Sequence, residues 1–408
     1  MPRFRFQPTG PARAGLLLVM LTALTLPTLA EPPHVMNGPE PRDGVHELKL
    51  EEVWRHGGED DDIFFGLVSS VATDPDGNLY VLDSQLAQVM VFSPDGEHLR
   101  DVGRQGSGPG EYENPNQVVM LPDGTLGVSQ LFPGKLVRLS LDGTPRDNVT
   151  IDSSDGGFAV ITNVRSGGGN LVIAGMEAKF DQATAHFDRH LFVRSYDLAS
   201  TILHEYFAKD QVWDFSTPFT LSELDADFVW FRMAVDHQGR LVVGEPREDY
   251  AVSVYAADGT LERVFGRAYE PLRRDKAIKA RFQAIMDAQL RQMPPGTQTE
   301  VADMTQTIWG IYCHPDGTYW VTTARGMYTP PQGVLTSWDV FGADGEFLRQ
   351  VEARVPGKPG VDMLLLTDHG YALEITGFWD AVLSSMGATA QNEDAEAMEI
   401  ICYKVLAD

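Results

Sequence analysis

The chain has 408 residues, 43% of them apolar, with 58 acidic and 32 basic side chains for a net charge of −26. That composition excludes a fibrous or disordered chain and a bundle of membrane helices, and a surface this acidic repels phosphate backbones and anionic headgroups, so no nucleic acid is expected as a partner. Charge says nothing about fold.

Residues 1–30 open with Arg3, Arg5 and Arg13, continue through an apolar stretch from Leu16 to Leu26, and end on Thr28-Leu29-Ala30. This is the layout of a secretory signal peptide, and it predicts export to the periplasm or exterior after cleavage near Ala30. The stretch is too short to span a bilayer, and no other segment is a candidate for membrane insertion. The three arginines leave with it, so the remainder carries −29. Residues 31–45 read as an N-terminal linker, and 46–408 as one domain.

Within that domain a ten-residue pattern recurs. Asp74-Pro-Asp-Gly-Asn-Leu-Tyr-Val-Leu-Asp83 returns at 121–130, 236–245, 314–323 and 367–376, with a degenerate copy at 166–174. Each copy is a short turn whose glycine supplies positive φ, followed by a β-rich run, which predicts a hairpin. A second Asp-Gly turn follows in four units. The glycine pairs 77/96, 124/143, 239/259 and 317/345 lie 19, 19, 20 and 28 residues apart, the spacing of strands A to D in one antiparallel sheet. Unit three keeps the strand pattern but lacks the second glycine turn.

Six such sheets cannot bury both faces alone, and stacking them radially is the solution that leaves no exposed row of edges. The expectation is an all-β, six-bladed β-propeller. Unit six ends after its third strand. Its fourth is read at the other end of the chain, where Leu50, Val53, Arg55 and Gly57 repeat the spacing of Leu99, Val102, Arg104 and Gly106. The N-terminal strand should therefore pair beside the segment around Cys402. The thiols of Cys313 and Cys402 then fall on non-adjacent strands and are read as unpaired apolar side chains.

The segment Val102-Gly-Arg104-Gln-Gly106-Ser-Gly-Pro-Gly-Glu111, with Asn114-Pro-Asn-Gln-Val118 after it, resembles the exported bacterial branch of the NHL-repeat propellers. The resemblance covers nearly all of the mature chain and implies the same six-bladed fold. It leaves function open, because such propellers include binding scaffolds, an amidating lyase and fold-level relatives with lactonase activity. The family's Asn/Arg pattern survives here only as Asp83 and Gln88.

In a propeller the A–B and C–D turns share one face and the B–C and D–A connections the other. The long insertions, 104–117, 174–190, 208–228, 267–306, 323–336 and 377–398, all fall on the second face, where function is expected. The longest, 267–306, should hold an amphipathic helix over 271–290 that carries the basic residues Arg273, Arg274, Lys276, Lys279 and Arg281. Polar residues at the B–C corners, Asp83, Gln130, Glu245, Arg247, Asp249 and Arg325, should ring the channel mouth, with Arg104 and Arg232 approaching from the D–A side. Trp379 stands among the aromatics of the insertions. This ring suits a small polar ligand or a protein partner, bound without catalysis by a protein taken to be a monomer.

The alternative is a metal-assisted hydrolase, lactonase or lyase at the channel mouth. Asp83 and Glu245 are the carboxylates that could hold Ca²⁺, but no asparagine stands at matching corners, and no cofactor is predicted. His186, Asp188 and His190 read as ordinary loop residues. No nucleophile elbow or phosphate loop is present in the sequence, so no catalytic residue is assigned.

Overall fold

The repeated turns form as their residues require. Asp74 accepts hydrogen bonds from the backbone N–H of Asp76 and Asn78, and Gly77 closes the turn at φ +83°. Asp236 and Gly239 repeat this arrangement at the fourth unit. Short polar side chains that bind their own turn, plus a residue without Cβ, make these hairpins locally determined.

The computed structural model describes residues 32–151, 153, 156–388 and 397–406. The proposed signal peptide at 1–30 lies outside them. Six four-stranded antiparallel sheets follow one another around a ring. Blade one comprises Val68–Thr73, Leu79–Asp83, Gln88–Phe92 and His98–Val102. Blade two comprises Pro115–Met120, Leu126–Gln130, Lys135–Leu139 and Val149–Thr150. Blade three is built from Phe158–Gly167, Asn170–Asp181, His186–Tyr196 and Ile202–Asp214. Blade four has Met233–Val235, Leu241–Val243, Val252–Tyr255 and Leu261–Arg267. Blade five has Ile308–Cys313, Tyr319–Thr323, Thr336–Phe341 and Phe347–Ala353.

Blade six joins Met363–Leu366, Tyr371–Ile375 and Glu399–Val405 to the N-terminal strand Leu50–Gly57. Leu50 pairs with Val405, Trp54 with Cys402 and Gly57 with Glu399, and Val53 falls in a bulge between Glu52 and Trp54. The ring is therefore closed by the first strand, as the spacing predicts. Trp54 seals the closure. Its ring stacks 5.5 Å from Phe92 and lies so close to Gly96 that a Cβ there would sit 2.5 Å from it.

The core is divided into layers between neighbouring blades. Leu79 and Val81 of blade one meet Leu373, Ile375 and Ile400 of blade six, and similar layers lie between the other pairs. Each fully buried side chain of this kind contributes about 1.5–3 kcal/mol.

Four expectations need correction. Residues 31–45 are more than a linker, because His34–Asn37 and Val45–Leu48 add parallel fifth strands to the outer edges of blades four and five. Residues 174–190 and 208–214 continue blade three as strand, since cross-strand pairing runs unbroken through Asp181/His186 and His186/Asp214. The helix of the long insertion, α1, spans Lys276–Gln289. It starts where Asp275, itself in extended conformation, caps it by accepting from the N–H of Ile278, and the preceding Arg274 donates its N–H to the Asp303 carbonyl. Two further helices, α2 (Ala324–Tyr328) and α3 (Phe378–Ser385), occupy insertions read as loops. Cys313 and Cys402 are free thiols.

Candidate functional site

The corner residues come first, because the sequence points to them. Asp83 is fully buried, and its carboxylate accepts from the N–H groups of Gly66, Leu67, Gln85 and Leu86. Gln130, at the same place in the next repeat, accepts from Glu113 N–H and donates to the carbonyls of Phe132 and Pro133. Glu245 accepts from the Tyr255 hydroxyl. Thr323 caps α2 through Gly326 N–H, and Thr376 accepts from Glu399 N–H. At Asp83, Gln130 and Thr323 the final position of the repeat is thus a latch that holds the start of its own B–C connection. The oxygens of Asp83 that would bind a ligand or calcium are occupied by backbone. Among the described residues no group of three His, Cys, Asp or Glu side chains has metal-binding geometry, so Asp83 and Glu245 do not assemble a metal set.

Four more of the named residues stand apart from one another. Arg104 is exposed and pairs with Glu111 at 2.6 Å, and Glu111 also accepts from Gly108 N–H, so this loop closes on itself. Arg325 binds the Glu270 carbonyl and carboxylate. Asp249 is exposed. Trp379 packs edge-on against Trp309, with ring centroids 6.0 Å apart. His190, read as a loop residue, lies on a strand and bonds Asp210 across the sheet at 2.6 Å.

Arg232 and Arg247 come together. Arg232 leads into the innermost strand of blade four. It is almost wholly buried and holds Asp227 with both terminal nitrogens, at 2.9 and 3.0 Å, while its Nε donates to the Gly244 carbonyl. Arg247, at the following corner, reaches both Asp227, at 3.0 Å, and Glu223, at 2.5 Å. Glu223 follows the short strand Thr220–Ser222, which pairs in parallel with Gln298–Glu300 of the long insertion. Arg274, just ahead of α1, grips both oxygens of Glu223 at 2.6 Å and lies 3.7 Å from the Phe282 ring. Burial works to raise the Glu223 carboxyl, but Arg274 and Arg247 outweigh it and hold the group below its ordinary range.

Three of the five basic residues of the insertion are therefore spent on carboxylates. Arg274 is consumed by Glu223, while Arg273 and Lys279 share Asp303.

Beside this cluster opens a cavity of about 160 Å³ between the blade-four corner and α1. Glu223, Asp227, Arg232, Arg247 and Gln306 form its polar wall; Phe228, Trp230, Phe231 and Met286 form its apolar one. Phe231 stands at the lip, 59% exposed. Three guanidinium groups face two carboxylates, so the cluster carries one excess positive charge inside a chain of −26. The Nε of Arg247 is buried with no acceptor. Glu223, Asp227 and Gln306 are not among the residues the sequence singles out, and Arg274 is singled out only as part of a basic run. The signal available was the acidic run Glu223-Leu-Asp-Ala-Asp227 in the insertion beside the basic one.

Residues 60–159 match a family described as a 6-bladed β-propeller. Fold and site together define a six-bladed β-propeller with a charged, half-apolar cavity on its loop face. No curated protein matches the sequence. Among solved structures the chain is similar to a Bacteroides fragilis protein thought to be exported, at 12% identity over 90% of this chain and 99% of that one, with a TM-score of 0.49. It is similar to virginiamycin B lyase from Staphylococcus aureus, at 12% identity over 88% and 100%, TM-score 0.37. It is also similar to the calcium-binding protein regucalcin from Agrobacterium tumefaciens, at 12% over 90% and 98%, TM-score 0.41. At these identities and scores the likenesses carry nothing about activity. No described helix is long and apolar enough to cross a membrane.

Proposed function

We propose that this chain is an exported propeller of the NHL-repeat type that binds, without catalysis, a small ligand with one anionic group and an apolar body. The observation that carries this reading is the cavity beside Arg247, whose Nε is buried without an acceptor in a cluster of three guanidinium groups and two carboxylates, with an apolar wall opposite. Engineered apolar cavities of ~150 Å³ take up benzene. A monocarboxylate whose body is about one ring or a short branched chain has the matching size, with its carboxylate toward Arg247. Export is supported by the layout of residues 1–30, and the NHL-type assignment by the segment Val102–Glu111. The acidic surface favours a monomer that avoids nucleic acid and membrane. A protein presenting such a side chain would fill the same cavity.

Against the metal-assisted reading, both oxygens of Asp83 accept from backbone N–H groups and Oε1 of Glu245 accepts from Tyr255. The test is calorimetric titration with a panel of aryl and branched short-chain monocarboxylates and their uncharged amides. Acids should bind, amides should bind at least tenfold more weakly, and Arg247→Gln should remove the difference. Equal binding of acid and amide, or full retention in Arg247→Gln, would refute the assignment. Elemental analysis of protein prepared without chelator checks the metal alternative, which stoichiometric calcium would restore.

A further inference from the structure

We propose a second binding site, for a small monovalent anion, inside the central channel at Arg165. Arg165 lies on Phe158–Gly167, the innermost strand of blade three, and reaches across to the innermost strand of blade four. Its Nε donates to the Met233 carbonyl at 3.1 Å, and its Nη1 donates to Asn163 Oδ1 at 2.6 Å and to the Val164 carbonyl at 3.0 Å. Every one of these acceptors is neutral. The thiol of Cys313, on the innermost strand of blade five, is its electrostatic neighbour.

Most of the deeply buried arginines of this ring are compensated. Arg194 holds Glu177 and Glu205, Arg232 holds Asp227, Arg240 holds Asp236, Arg267 holds Asp339 and Arg274 holds Glu223. Arg189 has no carboxylate partner either, but it lies flat over Trp213, 3.9 Å from the ring centroid. Arg100, Arg263 and Arg281 also meet only neutral oxygens, but they lie on outermost strands or on α1, whereas Arg165 lies on an innermost strand. Burial pushes its pKa down to about 10, which still leaves it charged at neutral pH.

A cation drawn partly out of water without a counter-charge carries a desolvation cost that a bound anion would offset. Arg165 is half-buried, and its Nη2 has no protein acceptor. The free edge of the guanidinium is therefore open to an anion, which would supply the missing charge and hydrogen bond. The ligand class is a small monovalent anion, whether a short carboxylate or an inorganic ion such as nitrate or chloride. The outer surface, at −26, repels anions, so occupancy has to come from this local contact.

The test is thermal unfolding of the full mature protein at constant ionic strength, with a bulky sulfonate replaced stepwise by chloride, nitrate, formate or acetate. Constant ionic strength removes general screening, which would stabilise any chain this acidic. The expected result is a saturable rise in Tm, on the order of 4 °C at a hundredfold excess over Kd, and a flat response in Arg165→Met. In the bulky sulfonate alone Arg165→Met should be at least as stable as the native protein. Arg165→Gln serves if the Met variant does not fold, and Arg165→Lys should keep part of the rise. A response to chloride and nitrate alone marks an inorganic ion, and one to formate or acetate marks a carboxylate; either supports the site. The proposal is overturned if the native protein shows no saturable rise, or if Arg165→Met and Arg165→Gln keep it. It is also overturned if the rise disappears in Arg247→Ala while Arg165→Met retains it, since the anion would then sit in the loop-face cavity.

Discussion

Glu374 makes this protein's stability depend on pH in a way that can be worked out in advance. It sits on Tyr371–Ile375, the second strand of blade six, only 1% exposed, and its Oε2 accepts from the Tyr403 hydroxyl at 2.8 Å. Burial pushes its carboxyl up to about 7; the Tyr403 hydrogen bond lowers it and the nearby Asp362 charge raises it again. The ordinary value is 4.5. Below about pH 4.5 the group is neutral whether the chain is folded or not. Between there and pH 7 the unfolded chain releases a proton that the native state keeps, so stability falls as pH rises, and above pH 7 the loss is complete. At about 1.4 kcal/mol per pH unit of displacement the total is roughly 3 kcal/mol.

Glu374→Gln removes the titration and keeps an acceptor for Tyr403, although its amide N–H₂ carries a cost of about 1–3 kcal/mol if left unpaired. That cost does not vary with pH. The quantity to read is therefore the change, between pH 4.5 and pH 8, in the stability difference between variant and native protein. It should move by roughly 3 kcal/mol in favour of the variant. Urea unfolding followed by fluorescence of the seven tryptophans supplies it at each pH. A difference that stays level over this range would show that Glu374 ionises in the folded protein as it does in the unfolded one, and the burial argument would fail.

Two further outcomes follow from the same structure. Trp54→Ala should cost about 3–5 kcal/mol in urea unfolding, because Trp54 seals the last blade against Phe92 and Gly96; a loss below about 1 kcal/mol would mean that the N-terminal strand does not close the ring. Asp83→Ala strands four backbone N–H groups at the first corner and should lower stability by about 3 kcal/mol or more without altering bound calcium. Loss of a stoichiometric calcium with little change in Tm would contradict the latch.

The blades were legible because their signals are local. A turn that needs positive φ at Gly77 or Gly239 needs it whatever the remainder of the chain does. The closing strand was legible because Leu50–Gly57 repeats the pattern of a strand already identified, and the bulge at Val53 shifts one residue without disturbing the pairing. The site was only partly legible. Arg232 and Arg247 were named for the site and Arg274 only as part of a basic run, because its partner Glu223 stands 51 positions away on a separate insertion. Asp83 was misjudged because a carboxylate at a strand end can face a ligand or fold back on its own backbone, and the same residue type serves both.

Six blades and their closure thus follow from the amino acids directly, since hairpin turns and alternating strands are decided within a dozen residues. Which charges remain unspent was decided only in three dimensions. The arginines look alike along the chain, yet Arg274 is paired twice over by Glu223 and Arg165 meets only neutral oxygens. That difference arises because electrostatic compensation depends on distances of a few ångströms between segments that only the closed ring brings together.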